Sequence, residues 1–278
     1  MFKFYRRRQA GFKSLSLSAV LLLGVLSANV QSQQAAEAIK PDDIVISIII
    51  DDLGNQLAAG QRAVELPGAI TCAFLPHLPY SPRLAELANG QHKEVMLHLP
   101  MQADSSKTLG PGGLTEEMSE QQFKNEMRKS INAIPHVRGF NNHMGSLLTQ
   151  KTQQMKWTMQ AAMFRDDLYF VDSRTTPDTV ALQEAQKRGI RGAKRDIFLD
   201  YEKDDENIVR QQLEALITRA KKKGTALAIG HPYKDTMKVL EAWLPTLKKQ
   251  GIKLVPVSDL ISIRKARSNQ RWQLSSSH

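Results

Sequence analysis

Residues 44–55 read Ile-Val-Ile-Ser-Ile-Ile-Ile-Asp-Asp-Leu-Gly-Asn. A β-branched apolar run, ended by two acids and a turn-forming Gly-Asn, is the pattern of a buried parallel strand that opens into a loop. Asp51 and Asp52 then stand at the strand's C-terminal rim, where α/β folds gather ligands and catalytic groups. Side chains alternate along a strand, so the two carboxylates are expected to face different things, one holding a metal while the other handles a proton. The plain alternative is that the pair caps the next helix.

Outward from this run, strand-like and helical segments alternate. Helices are expected over 57–65, 82–89 (ended by Gly90), 119–133, 149–164, 180–188, 206–223 (ended by Gly224) and 236–250. Strands are expected over 70–75, 94–101, 139–146, 169–177, 225–232 and 254–257, with a short helical turn over 258–263. Ser119 with Gln122 reads as N-cap chemistry for its helix, and the Gly/Pro/Ser-rich 103–113 reads as a binding loop over a strand end. Alternation without internal repeats points to an α/β fold, a distorted (β/α) barrel of about seven to eight parallel strands. No Gly-rich fingerprint follows the first strand, which removes the main reason to expect a dinucleotide or a phosphate cradle.

At 278 residues and 41% hydrophobic content the chain has ample core for one domain, expected over 39–263. The formal charge of +10 does not argue for nucleic acid, because Lys3, Arg6, Arg7, Arg8 and Lys13 supply half of it. That basic start, the apolar run over 15–26 and the small residues around Ala35, Ala36 and Ala38 read as a signal peptide and polar linker over 1–38. Export to the periplasm follows, with membrane contact only if the segment stays uncleaved as an anchor; the run is short for a ~20-residue span. Cys72 is the single cysteine, so no intramolecular disulfide forms, and its apolar setting reads as core. The basic, polar 264–278 reads as a disordered tail.

His98, His143 and His231 each end a strand-like run. In a barrel they project onto the face that carries Asp51 and Asp52. One carboxylate with two neutral imidazoles is a normal ligand set for a divalent ion, Zn²⁺ first, with a position left for water. Such a centre suits hydrolysis of an amide or ester. A single strand-end histidine more often bonds a neighbouring backbone or carboxylate group, and His77, His92 and His136, in turns or polar loops, are read that way. Asp172, Arg174, Arg195 and Asp196 are either an ion network beneath the site or groups that orient its ligands and tune its base.

The runs Ile-Ile-Ile-Asp-Asp-Leu-Gly, Leu-His-Leu-Pro-Met, Gly-Phe-Asn-Asn-His-Met-Gly-Ser, Phe-Val-Asp-Ser-Arg-Thr-Thr, Arg-Asp-Ile-Phe-Leu-Asp and Ile-Gly-His-Pro, in this order, resemble the divergent polysaccharide deacetylase family, a branch of the NodB-like carbohydrate esterases. The resemblance covers roughly 43–262. It implies a distorted barrel and metal-dependent removal of acetyl groups from N-acetylated sugars, here an envelope polysaccharide or peptidoglycan. By position it implies Asp51 as general base, Asp52 as metal ligand, His231 as general acid and His98 as the first histidine of a His-x-x-x-His ligand pair. Gln102 stands where that pair's second histidine belongs, and His143 is the expected replacement. The missing histidine also leaves room for a non-catalytic glycan- or protein-binding protein that keeps the barrel. An aromatic platform for a sugar is not visible, since Trp157, Trp243 and Trp272 fall on helices or the tail.

Overall fold

A computed structural model describes residues 39–105 and 107–276. The expected signal segment and linker lie outside the described residues. Within them, no helix is long and apolar enough to cross a membrane.

The opening run is β1 (Ile44–Leu53), followed by α1 (Leu57–Val64), β2 (Thr71–Phe74), α2 (Ser81–Gly90), β3 (Glu94–Met101) and α3 (Glu120–Asn132). Then come β4 (Val137–Met144), α4 (Thr152–Ala162), β5 (Tyr169–Asp172), α5 (Ala181–Lys187), β6 (Gly192–Lys194) and β7 (Ile197–Phe198). The chain ends with α6 (Glu206–Lys223), β8 (Thr225–Gly230), α7 (Lys234–Trp243), β9 (Ile252–Leu254) and α8 (Val257–Ser276). All the strand pairings are parallel.

The strand order is β6-β5-β4-β3-β2-β1-β8-β7, with β9 against the N-terminal half of β1. Only Arg195 and Asp196 separate β6 from β7; their amides donate to Asp172 O on β5 and Leu227 O on β8. One extended stretch, 192–198, therefore serves both ends of the sheet. The sheet curls, and the expected distorted barrel of parallel strands is the architecture found.

Alternation along β1 divides the core. Ile46, Ile48 and Ile50 pack outward against the helices, while Val45 and Ile49 face inward with Met96, Val171, Leu227 and Ile229. Val257, Leu260 and Ile261 of α8 fill the bottom of this inner core, and Ser47 Oγ donates to Val255 O at 2.6 Å. With the floor closed by apolar packing, the strands' C-terminal ends form the open mouth.

Three expectations change. Residues 254–257 do not form the last strand, because β9 ends at Leu254 and Val257 already opens α8. The helix expected to reach 250 stops at Trp243, and Pro245 leads into a 3-10 stretch, Leu244–Gln250. The tail expected to be disordered from 264 continues as helix to Ser276. Its basic residues meet fixed acceptors: Arg264 donates to Asp196 Oδ2 (2.6 Å) and Thr225 Oγ1 (2.9 Å), and Arg267 to Gly224 O (2.8 Å).

Candidate functional site

Period-two placement brings the chemistry together. Asp51 shares parity with Val45 and Ile49 on β1, His98 with Met96 on β3, and His231, just past the end of β8, follows Ile229 by two residues. His98 is paired in register with Asn141 on β4, and Pro100 with His143, so Asn141 and His143 face the interior as well. Asp52 is the exception that completes the group. Alternation alone would send it outward among the helices. Instead β1 carries an extra residue between its pairs Ile50–Cys72 and Leu53–Phe74, and Asp52 takes φ 59°, in the left-handed region. A bulge of this kind re-aims a side chain. Here both carboxylates turn to the mouth.

The Asp52 Oδ1, His98 Nε2 and His143 Nδ1 atoms form a triangle with sides of 2.9, 3.1 and 3.1 Å. That spacing is what donors show around a common ion bound at about 2.0–2.2 Å. Asp52 Oδ1 is buried and has no properly aligned hydrogen bond among the described residues. A buried carboxylate oxygen in that state lacks the compensation that burial normally requires, and a cation would supply it. The donor set thus fits a divalent metal.

Asn141 sets the tautomer of His98. Its Nδ2 donates to Asp51 Oδ1 and Oδ2 (2.8 and 3.1 Å), so its Oδ1 faces His98 Nδ1 at 2.7 Å. His98 must donate from Nδ1, which leaves the Nε2 lone pair for the triangle. Burial pushes the Asp51 carboxyl above the ordinary range, against the opposing pull of His98 and His231. Burial also works against charge on Asp52, yet the His143 and His98 rings hold it well below that range. His98 is raised, because Asp51 and Asp52 outweigh the effect of burial. Two neighbouring acids thus titrate in opposite directions, as a base and a ligand would.

His231 is held from behind. Its Nδ1 contacts Asp200 Oδ1 at 2.9 Å and its amide donates to Asp200 Oδ2 at 2.7 Å, while Thr236 Oγ1 donates to the same oxygen at 2.8 Å. Burial opposes its charge, but Asp200 raises its pKa to about 9. Nε2 is left facing the mouth, 3.8 Å from Asp52 Oδ2, and Tyr233 stacks on the ring with centroids 5.2 Å apart. Asp51, Asp52, His98, His143, His231 and Tyr233 line a cleft of about 510 Å³.

The four remaining expected residues divide. Arg174 and Arg195 line the cleft. Asp172 instead organises the turn before α5, accepting from Arg174 N (2.9 Å) and Thr179 Oγ1 (3.0 Å). Asp196 lies away from the cleft and accepts from Arg219 and Arg264, so for it the ion-network alternative is the one found. Gln102 is turned aside, its Oε1 accepting from Glu116 N at 2.7 Å. His136 pairs with Glu86 at 2.8 Å and His77 lies 3.6 Å from Glu126, outside the cleft. Asn141, Asp200 and Tyr233 escaped the sequence reading of the site. The first two stand inside the quoted motifs, and a polar residue two positions before a strand-end histidine was the available signal for Asn141.

A model of the divergent polysaccharide deacetylase family matches residues 48–261. The uncharacterized protein YibQ of Escherichia coli K12 is 36% identical over 217 residues, which cover 78% of this chain and 67% of that protein. Among solved structures, an uncharacterized protein from Agrobacterium tumefaciens C58 gives a TM-score of 0.75 at 19% identity, covering 81% of this chain and 96% of that one. A mutant of a Bacillus anthracis CE4 family pseudoenzyme, described as having restored enzymatic activity, gives 0.51 at 17% identity over 80% of this chain and 69% of that one. The two structural likenesses bear on the fold, and the family match spans β1 to α8. This chain belongs to the divergent polysaccharide deacetylase family.

Proposed function

We propose that this chain is a metal-dependent hydrolase that removes acetyl groups from an envelope polysaccharide or related glycan in the periplasm. The observation that carries the reading is the Asp52–His98–His143 triangle, with Asp51 and His231 lining the same cleft. The basic, apolar and small-residue pattern of 1–38 supports export. Asp52, His98 and His143 would hold the ion, and the nitrogen and oxygen donors suit zinc. When bound, it supplies a Lewis acid that polarises the acyl carbonyl and acidifies the attacking water.

The chain's own groups do the rest. Asp51, raised by burial and oriented by Asn141, accepts the proton of the attacking water. His231, kept charged by Asp200, donates from Nε2 to the departing amine nitrogen. Water adds across the amide, releasing acetate and a free amino sugar. The nearby rings of Phe198 and Tyr233 flank His231 and limit water around it.

The test uses the full chain, stripped with chelator and reloaded with Zn²⁺, Co²⁺ or Mn²⁺, on N-acetylated glycan oligomers. One ion per chain and acetate release are expected. Asp52→Ala and His143→Ala should lose the ion and lower kcat/KM about 100-fold or more. A second reading, a non-catalytic glycan- or protein-binding protein, is favoured by one observation, the turning away of Gln102 from the site. Absence of stoichiometric metal together with no acetate release under any of the three ions would decide for it.

A further inference from the structure

The reaction above leaves Lys107, Arg174 and Arg195 of the cleft without a role, and the two arginines are joined through the Arg174 carbonyl. Arg195 directs Nε to Ser173 O (2.7 Å) and Nη2 to Arg174 O (2.9 Å), and lies over the Phe198 ring at 4.8 Å. Its Nη1 has no partner among the described residues. The Arg174 side chain lines the same cleft and makes no hydrogen bond or ion pair among those residues. No carboxylate among them lies at ion-pair distance from either guanidinium. Asp51 is engaged by Asn141 and Asp172 by Thr179. Arginine in a cleft ordinarily meets an acid, because its planar fork matches a carboxylate.

Two further features show that the arrangement is held in place at a cost. Arg174 takes φ 52°, a left-handed conformation that a residue with a Cβ rarely adopts. Asp172 Oδ1 fixes it there by accepting from its amide. Arg195 is drawn below the ordinary arginine value by burial and by the charge of Arg174, against the opposing pull of Asp51 and Asp172, and stays charged. A strained backbone thus holds one cation against another at the wall of the cleft. A doubly charged anion would be opposed by Asp51 and Asp52 in the same space, and no Gly-rich cradle adjoins it. A singly charged carboxylate meets both conditions.

We propose that Arg174 and Arg195 form a carboxylate-binding subsite beside the hydrolytic centre, so that the glycan recognised is acidic, with its carboxylate on the acetylated ring or on the ring next to it. Only the acetyl half of this statement rests on the hydrolase reading. The test is calorimetric binding to the full chain carrying Asp51→Asn, which removes turnover.

Two acidic probes separate the two placements: the methyl glycoside of N-acetylmuramic acid, with the carboxylate on the acetylated ring, and a hyaluronan tetrasaccharide, with it on the next ring, each beside its methylamide. One acid should bind about 10- to 100-fold tighter than its amide, the worth of a charged hydrogen bond. Adding Arg174→Gln or Arg195→Gln should bring that ratio close to one, and Arg174→Lys should keep part of it. Equal binding of acid and amide for both probes, no binding of either acid, or a ratio that survives both glutamine variants would overturn the subsite. Acetate release by the unsubstituted chain is read in parallel. Acid-selective binding without acetate release keeps the subsite and removes the hydrolase; equal release from acids and amides does the reverse.

Discussion

Asp200 decides what His231 can do. Buried imidazole alone would lose its proton more readily, and the carboxylate behind it reverses this, raising the pKa to about 9. The folded value lies above the ordinary one, so the charged pair stabilises the fold fully below the ordinary histidine value and is lost as pH rises through about 9. A proton donor with this pKa stays loaded at neutral pH, so acetate release should decline on the alkaline side near pH 9. Asp200→Asn removes the largest favourable cause and leaves burial, which should move that decline toward acid by more than about one unit. A pH–rate profile of both proteins checks it, and an unmoved alkaline limb would remove His231 from the donor role. His231 was legible as a strand-end histidine before Pro232. Its partner was not, because Asp200 lies 31 residues earlier and meets it only through the β7–β8 pairing.

Elements were most legible where their signals are local. Ser119 and Gln122 form a reciprocal capping box on α3, and Gly224 ends α6 at φ 81°. Both were readable because a cap needs only residues three or four apart. Ser119→Ala should therefore cost about 1 kcal/mol, seen as a melting temperature about 2–4 °C lower. An unchanged melt would mean that water replaces the cap. The length of α8 was not readable. Its exposed, basic composition looks like a solvated tail until Asp196, Thr225 and the Gly224 carbonyl are brought beneath Arg264 and Arg267 by the closing of the sheet.

At the scale of the whole molecule, β2 is covered on both faces, and Cys72 sits within it completely buried. Burial pushes its thiol up to about 12, so almost no thiolate exists near pH 8. The folded chain should react with Ellman's reagent negligibly at that pH, and one thiol per chain should appear in denaturant. Fast reaction without denaturant would show that the sheet opens at β2. The sequence by itself determined the alternation of strands and helices, the inward parity of Asp51, His98, His143 and His231, and the local caps. These depend on the two- and 3.6-residue periods and on neighbours a few positions away. Only the tertiary structure decided that Asp52 joins Asp51 at the mouth, that Gln102 turns aside, that Asp196 leaves the site and that, among the described residues, Arg174 and Arg195 stand there with no carboxylate at ion-pair distance. Each of these outcomes depends on a bulge, a left-handed residue or a partner on a distant strand, and none of those leaves a periodic mark on the chain.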